Sequence, residues 1–307
     1  MLIDTHCHLD AREFDKDRSD LVAAANRAGV AEIVVPGVSA ADFARLRDCC
    51  RAYAGCHPAY GLHPLYVREA APEDLDVLRD WLVSEHPVAV GEIGLDCYLP
   101  DLDLPRQEFF FVQQLKLARE FSLPVILHVR RAVDHVLKHL RRIEVPGGIA
   151  HAFNGSRQQA ETFLAQGFKL GFGGSMTYAG STRIRTLAAT LPLDAIVLET
   201  DAPDIPPAWL DRGRNTPAEL PRLAGVLAEL RGLPVSWSSA TRAVKNIANA
   251  VLWIHDEDDI ICPYADTTEI RNLQLPNVRF ITTKGLGHNK IYRDKEVQKT
   301  IIDFVTS

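Results

Sequence analysis

Among the 11 histidines and 40 acidic residues of this 307-residue chain, six could together bind divalent metals and activate water: His6, His8, Glu92, His128, His151 and Asp201. Imidazole and carboxylate together suit Zn, Mn, Fe, Ni or Co, and admit Mg less readily. His6 and His8 form an H-x-H pair, and in extended backbone alternate side chains share a face, so both point the same way. One such residue is ordinarily a satisfied polar group. Four histidines and two carboxylates are harder to dismiss, because burying them without a partner is costly and a metal supplies the partner. Six ligands exceed one tetrahedral ion with an open position. They suit two ions roughly 3.5–4 Å apart, bridged by a carboxylate and a water. Glu92, in the middle of the ligand order, is the expected bridge. Two such ions would lower the pKa of the water and neutralise charge on a phosphoryl oxygen. Asp201, last in the order, is expected to act both as ligand and as base toward that water.

These residues need a scaffold that gathers them, and the apolar pattern supplies one. Short β-branched runs alternate with amphipathic stretches. Strands are expected at Leu2–His8, Glu32–Pro36, Ala59–His63, Val88–Ile93, Pro124–Val129, Gly148–Ala152, Phe168–Gly173 and Ala195–Asp201, with helices near 16–28, 40–53, 73–85, 106–121, 132–142, 156–166, 181–190 and 217–231. Eight such units in this length predict an α/β fold, a TIM-type (β/α)8 barrel, whose active sites sit at the C-terminal strand ends. A doubly wound open sheet is the rival, but it does not explain why the six polar residues fall at strand ends. Parity agrees: Val88, Val90 and Glu92 share a face, as do Ile126 and His128, and Val197, Glu199 and Asp201.

Other residues are expected near the same mouth. His63 closes the third strand and could touch a phosphate or support a ligand; a turn histidine before Pro64 is nearly as good a reading. Arg130 and Arg131 follow His128, and guanidinium suits phosphate oxygens. Glu199 is expected to be buried and to orient a ligand. Asp204 and Arg214 lie on the loop after the eighth strand, where substrate could rest. Cys7 has the wrong parity for ligation and is expected to pack. His57, His86, His135 and His139 are read as ordinary polar residues of loops or helix faces.

Composition narrows the function classes. Hydrophobic residues make up 47% and charged residues 24%, enough apolar material for a sizeable core. No run of 18 apolar residues and no signal-peptide pattern occurs, so a cytoplasmic protein without membrane partners is expected. A net charge of −6 gives no overall nucleic-acid footprint, so any such attraction must be local. The six cysteines form no CxxC pair and are read as reduced thiols. The chain also changes character along its length. Residues 1–243 hold 22 Arg and 4 Lys, residues 244–307 hold 3 Arg and 5 Lys, and isoleucine numbers 9 in each part. A seam near Ala243–Asn249 is expected.

At this point the motifs carry a family resemblance. IDTHCHLD at 3–10, GLHP at 61–64, GEIGLD at 91–96, LPVILHVRRA at 123–132, HAFNGS at 151–156, LETDAPD at 198–204 and RNTPAEL at 214–220 resemble the TatD family of metal-dependent hydrolases over about residues 1–243. The resemblance implies phosphodiester hydrolysis, chiefly deoxyribonuclease action, with Mg, Mn or Zn, and implies His6, His8, Glu92, His128, His151 and Asp201 as ligands. Nucleic acid or another phosphodiester is then the expected partner, with no obligatory protein partner. Residues 244–307 resemble the end of an α/β-hydrolase. They offer a buried strand in VLWIHDEDD, a helix over Asp266–Asn272, a second strand at Val278–Thr282, a loop at 285–291 and a last helix at Asp294–Thr306. Asp259, before Pro263, and His288 would be the acid and base of a triad. A nucleophile elbow, G-x-S-x-G, is absent, so the tail is expected to be non-catalytic, brought by gene fusion, recombination or engineering. The rivals are another amidohydrolase-type enzyme, a serine esterase using the tail, and a binding protein with a vestigial site.

Overall fold

The computed structural model describes residues 2–98, 101, 103–233, 249–259 and 267–306. The chain falls into two compact units, Met1–Arg231 and Gly232–Ser307. The first is a single eight-stranded sheet, all parallel, with strands in sequence order. They are β1 Leu2–Asp4, β2 Val30–Pro36, β3 Cys56–Tyr60, β4 Ala89–Asp96, β5 Val125–Arg130, β6 Gly148–Ala150, β7 Phe168–Phe172 and β8 Ile196–Leu198. The expected TIM-type barrel is present. Between them run α1 Arg18–Arg27, α2 Phe43–Ala52, α3 Asp74–Glu85, α4 Leu104–Glu120, α5 Val133–Leu140, α6 Arg157–Ala165 and α7 Thr182–Thr190, with α8 Leu220–Leu230 last. Two starts are capped as their sequences require. Asp103 accepts from Arg106 N at α4, and Ser156 and Gln159 form a capping box at α6.

Parallel strands covered by helices bury both faces. The larger core lies between sheet and helices and includes Val35, Val90, Val125, Leu127 and Leu170. A small separate cluster, Ala59, Ala89 and Ile126 with Val34, lies on the opposite strand faces, inside the barrel. Ile126 thus sits inside, below His128, as expected. Val90 does not share that face with Glu92. The β4–β5 register shifts between Val90 and Ile93. The shift interrupts the alternation and carries Glu92 to the mouth by a different route: Glu92 N donates to Gly37 O at 2.9 Å. A Cβ on Gly91 would stand 2.6 Å from the Ile126 Cβ, so only glycine lets β4 pass here.

The expected first and eighth strands were longer than those that form, because the ladder ends where the ligands begin. The gap between β1 and β8 is closed by single bonds: Thr5 N to Leu198 O, Asp201 N to His6 O and His8 N to Ala202 O, at 2.8–3.1 Å. Asp4 adds two more, accepting from Thr200 N at 2.9 Å and Thr200 Oγ1 at 2.6 Å.

In the second unit, β9 Val251–Asp256 and β10 Val278–Thr283 pair in parallel, and a short helix, α9 Thr268–Asn272, lies between them in sequence. The stretch expected as a loop at 285–291 contains a helical turn, α10 Gly287–Lys290, then a 3-10 turn at Ile291–Arg293; α11 Lys295–Thr306 closes the chain. Asp256 explains the turn. Its carboxylate accepts from Leu286 N, Gly287 N, Asp258 N and Thr283 Oγ1, so it caps the turn's first amides. Burial pushes this carboxyl up, but the hydrogen bonds outweigh it and hold its pKa at about 2. Most of the expected seam, and Cys262, Pro263 and Asp266, lie outside the described residues. No helix among the described residues is long and apolar enough to cross a membrane.

Candidate metal centre

Four of the six ligand candidates come from just beyond β1, β6 and β8, and Glu92 and His128 come from within β4 and β5. All six meet. Glu92 is buried and uses its two oxygens differently. Oε2 lies 3.2 Å from His6 Nε2 and 3.5 Å from His8 Nε2. Those two nitrogens are 3.3 Å apart. Asp201 Oδ1 completes this corner, 3.4 Å from His6 Nε2 and 3.7 Å from His8 Nε2. Ligands held about 2.0–2.1 Å from a tetrahedral ion stand roughly 3.4 Å from one another. Glu92 Oε2 and the two Nε2 atoms fit that test, and Asp201 Oδ1 stands beside both imidazoles.

Oε1 faces a second corner. It lies 2.9 Å from His128 Nδ1, 3.5 Å from His63 Nε2 and 3.6 Å from His151 Nε2. His63 Nε2 and His128 Nδ1 are 3.1 Å apart. His63, Glu92 and His128 therefore form one metal-compatible group, and His6, His8 and Glu92 another. Sequence reasoning placed His63 at a phosphate or behind a ligand; the structure sets it level with the ligands.

Three of the imidazoles have an acceptor behind them, whereas His6 Nδ1 is buried without a hydrogen-bond partner. His8 Nδ1 lies 3.2 Å from Pro36 O, which fixes the N–H there and leaves Nε2 as the lone-pair atom. His128 Nε2 lies 3.0 Å from Asp96 Oδ2, which turns Nδ1 toward Glu92. His151 Nδ1 lies 3.3 Å from Glu199 Oε1. Glu199 is buried and accepts from Ala152 N at 2.6 Å. Gly171 makes room for it, since a Cβ there would stand 2.1 Å from Glu199 Oε2. Asp96 was missed. It closes the GEIGLD run, but nothing local distinguishes it from a turn acid. It accepts from Tyr98 N at 2.8 Å, and Gln107 braces its backbone through Asp96 N and O. Asn215 was missed too. Fully buried, it donates through Nδ2 to Thr200 O at 2.7 Å and Asp204 O at 2.9 Å, tying down the loop that follows Asp201.

The electrostatics are those of a ligand cage. Burial pushes the Glu92 carboxyl up, yet His63, His6 and His151 around it overcome this and hold it well below the carboxylate range. Burial lowers His8, and the adjacent carboxylates Glu92 and Asp201 more than reverse this, to about 9. Burial likewise opposes and the carboxylates Asp201, Glu199 and Glu92 raise His151, to about 10. Burial raises Asp201 to about 6 against His151 and His8.

The centre opens into a cleft of about 1440 Å³ lined by His63, Arg130, Arg131, Asp204 and Tyr66 among others. Arg130 and Arg131 lie over the Tyr98 ring, 3.8 and 4.8 Å from its centroid. Arg214 is not in the lining. It donates to Glu13 O at 2.6 Å and pairs with Asp17. Cys7 is fully buried in the larger core. His57 pairs with Glu32, and His135 and His139 with Glu108, outside the centre; His86 caps α3 in left-handed backbone.

The chain is similar to known proteins. The family described as TatD related DNase matches residues 3–252. The uncharacterized metal-dependent hydrolase YjjV of Escherichia coli K12 is 42% identical over 235 residues, 76% of this chain and 91% of its own. The crystal structure of that TatD homologue superposes with a TM-score of 0.74 at 40% identity, covering 77% of this chain and 92% of the other. A protein of Cronobacter sakazakii named 3′-5′ ssDNA/RNA exonuclease TatD is 33% identical over 248 residues, 78% of this chain and 94% of its own.

Proposed function

Because the chain belongs to the TatD-related family of metal-dependent hydrolases, we propose that it cleaves phosphodiester bonds of nucleic acid with two divalent ions. The observation that carries this reading is the division of Glu92: one oxygen faces His6 and His8, the other His128, His63 and His151. His6, His8, Glu92 and Asp201 would hold one ion. Glu92, His128 and His151, with His63 beside them, would hold the other. Bound ions of this kind supply an acidified water and neutralise phosphoryl charge.

The protein's own groups do the rest. Asp201 is the carboxylate of the first corner more open to the cleft, its side chain 12% exposed against 2% for Glu92. Its carboxylate takes the proton of the attacking water, while Glu92 stays ionised. Arg130 and Arg131 hold non-bridging oxygens of the substrate. Asp96 and Glu199 keep His128 and His151 turned inward. The chemistry belongs to residues 1–243, and the tail at 244–307 contributes none, since no nucleophile elbow accompanies Asp259 and His288. Nuclease action draws support from the relative named as an exonuclease.

The test is a time course on labelled oligonucleotides with Mg, Mn or Zn, for the wild type and Glu92→Gln. Wild-type cleavage needs metal. The variant keeps its fold, loses turnover and binds fewer than two equivalents. A variant with two equivalents and full activity would overturn the reading.

A further inference from the structure

The cleft is electrically two-sided. Beyond β5 to β7 it is lined by Arg130, Arg131 and Arg183, against the single carboxylate Asp134, which Gln159 engages at 2.9 Å. Beyond β8, β1 and β2 it is lined by Asp10, Glu13, Asp42 and Asp204, against Arg12 and Arg45. Arg45 is already spent on Asp42 at 3.2 Å and Asp10 at 3.7 Å. A polyanion crossing the metal centre is thus welcomed on one side only.

On the acidic side stands an exposed aromatic ring. Tyr66 is 47% exposed inside the cleft. It is fixed in a turn after β3, its N–H donating to His63 O at 2.9 Å. Its ring meets the His63 imidazole edge-on with centroids 5.9 Å apart, and His63 Nε2 is 3.5 Å from Glu92. The ring is therefore one side chain away from the reacting centre. Asp42, Asp204, Glu13 and Glu69 all act on its hydroxyl, raising its pKa after burial has done so. Nothing in the hydrolytic chemistry uses this residue. A large ring exposed to solvent beside a phosphate-cleaving centre suits a nucleobase, because every base has a face to stack.

We propose that Tyr66 is the platform for the nucleobase on the far side of the scissile phosphate from the arginines, and that the carboxylates around it admit a terminal nucleoside carrying no further phosphate. The chain of a single strand runs out over Arg130, Arg131 and Arg183. Its last nucleoside rests on Tyr66. A second phosphate beyond that nucleoside meets Asp42, Glu13 and Asp204. This inference rests on the nuclease reading and adds the terminal-nucleoside subsite to it.

The test uses the full chain, metal-loaded, on single-stranded oligonucleotides whose terminal nucleoside is intact or abasic and whose terminus is a hydroxyl or a phosphate, at each end in turn. At the end that is cleaved, removing the base lowers wild-type kcat/KM about fivefold or more. Tyr66→Ala loses a similar factor on the intact end and nothing further on the abasic one, while Tyr66→Phe keeps the wild-type preference. A terminal phosphate slows the wild type, and Glu13→Gln recovers part of the loss. A wild type indifferent to the base, or a Tyr66→Ala loss equal on intact and abasic ends, overturns the subsite and leaves the nuclease reading standing. Absence of cleavage of every oligonucleotide removes both.

Discussion

Asp96→Asn isolates one corner of the metal centre. Asp96 uses both oxygens: Oδ2 faces His128 Nε2 at 3.0 Å and Oδ1 accepts from Tyr98 N at 2.8 Å. As an acceptor only, it requires the proton on Nε2 and leaves Nδ1 bare toward Glu92 and His63. Asparagine has one oxygen. If that oxygen stays on Tyr98 N, the amide NH2 faces Nε2, and the ring proton moves to Nδ1, where a ligand lone pair is needed. The charge that raises His128 against burial is lost as well. Replacing a partner of this kind costs about 10- to 100-fold in metal affinity, or ~1.4–2.7 kcal/mol. On the proposed two-ion reading, the loss should fall on one ion. Calorimetric titration of the metal-free protein with Mn or Zn should show one site as in the wild type and one weakened by that factor, with kcat recovering at high metal concentration. Two wild-type sites in the Asn variant would refute the orienting role.

Asp201→Asn should lower kcat far more than oligonucleotide affinity, read from single-turnover rates against binding; equal losses would leave it as a ligand alone. Gly171→Ala drives a methyl into Glu199, so it should lower both metal stoichiometry and the melting temperature, and an unchanged protein would show that Glu199 has room to move. The second unit should be acid-sensitive. Asp256 has a folded pKa of about 2, below its ordinary 3.8, so its contribution is complete above about 4 and is lost as pH falls toward 2. Amide exchange in β9 and β10 should quicken over that window in the wild type, and at every pH in Asp256→Ala; a flat wild-type profile would remove Asp256 as the cause.

Much of the barrel is legible in the sequence because each apolar run ends in a polar residue that a packed interior would not tolerate. His6, His8, His128 and His151 announce themselves in this way. What supports them does not. Asp96 finds His128 32 residues away, and Asp4 finds Thr200 196 residues away. No local pattern encodes such pairings. The shift between Val90 and Ile93 is invisible for a different reason: alternation counts residues, whereas a bulge spends one without advancing the ladder. Arg214 reads as a substrate contact from its position, and its bonds to Glu13 and Asp17, about 200 residues away, are equally hidden from the sequence. The turn at 287–290 is too short to show a helical period, and its cause, Asp256, lies on another element.

The first corner of the metal centre straddles the seam where the sheet's two ends meet. His6 and His8 follow the first strand, Asp201 follows the last, and only single bonds join the backbone there. An ion bound by all three is a clasp on a ring. It draws together the earliest and the latest parts of the barrel to be synthesised, so the site cannot be completed on a partly made chain. On that assignment metal would be the last fastening of a nearly finished barrel, and its removal should loosen the ring first at this joint.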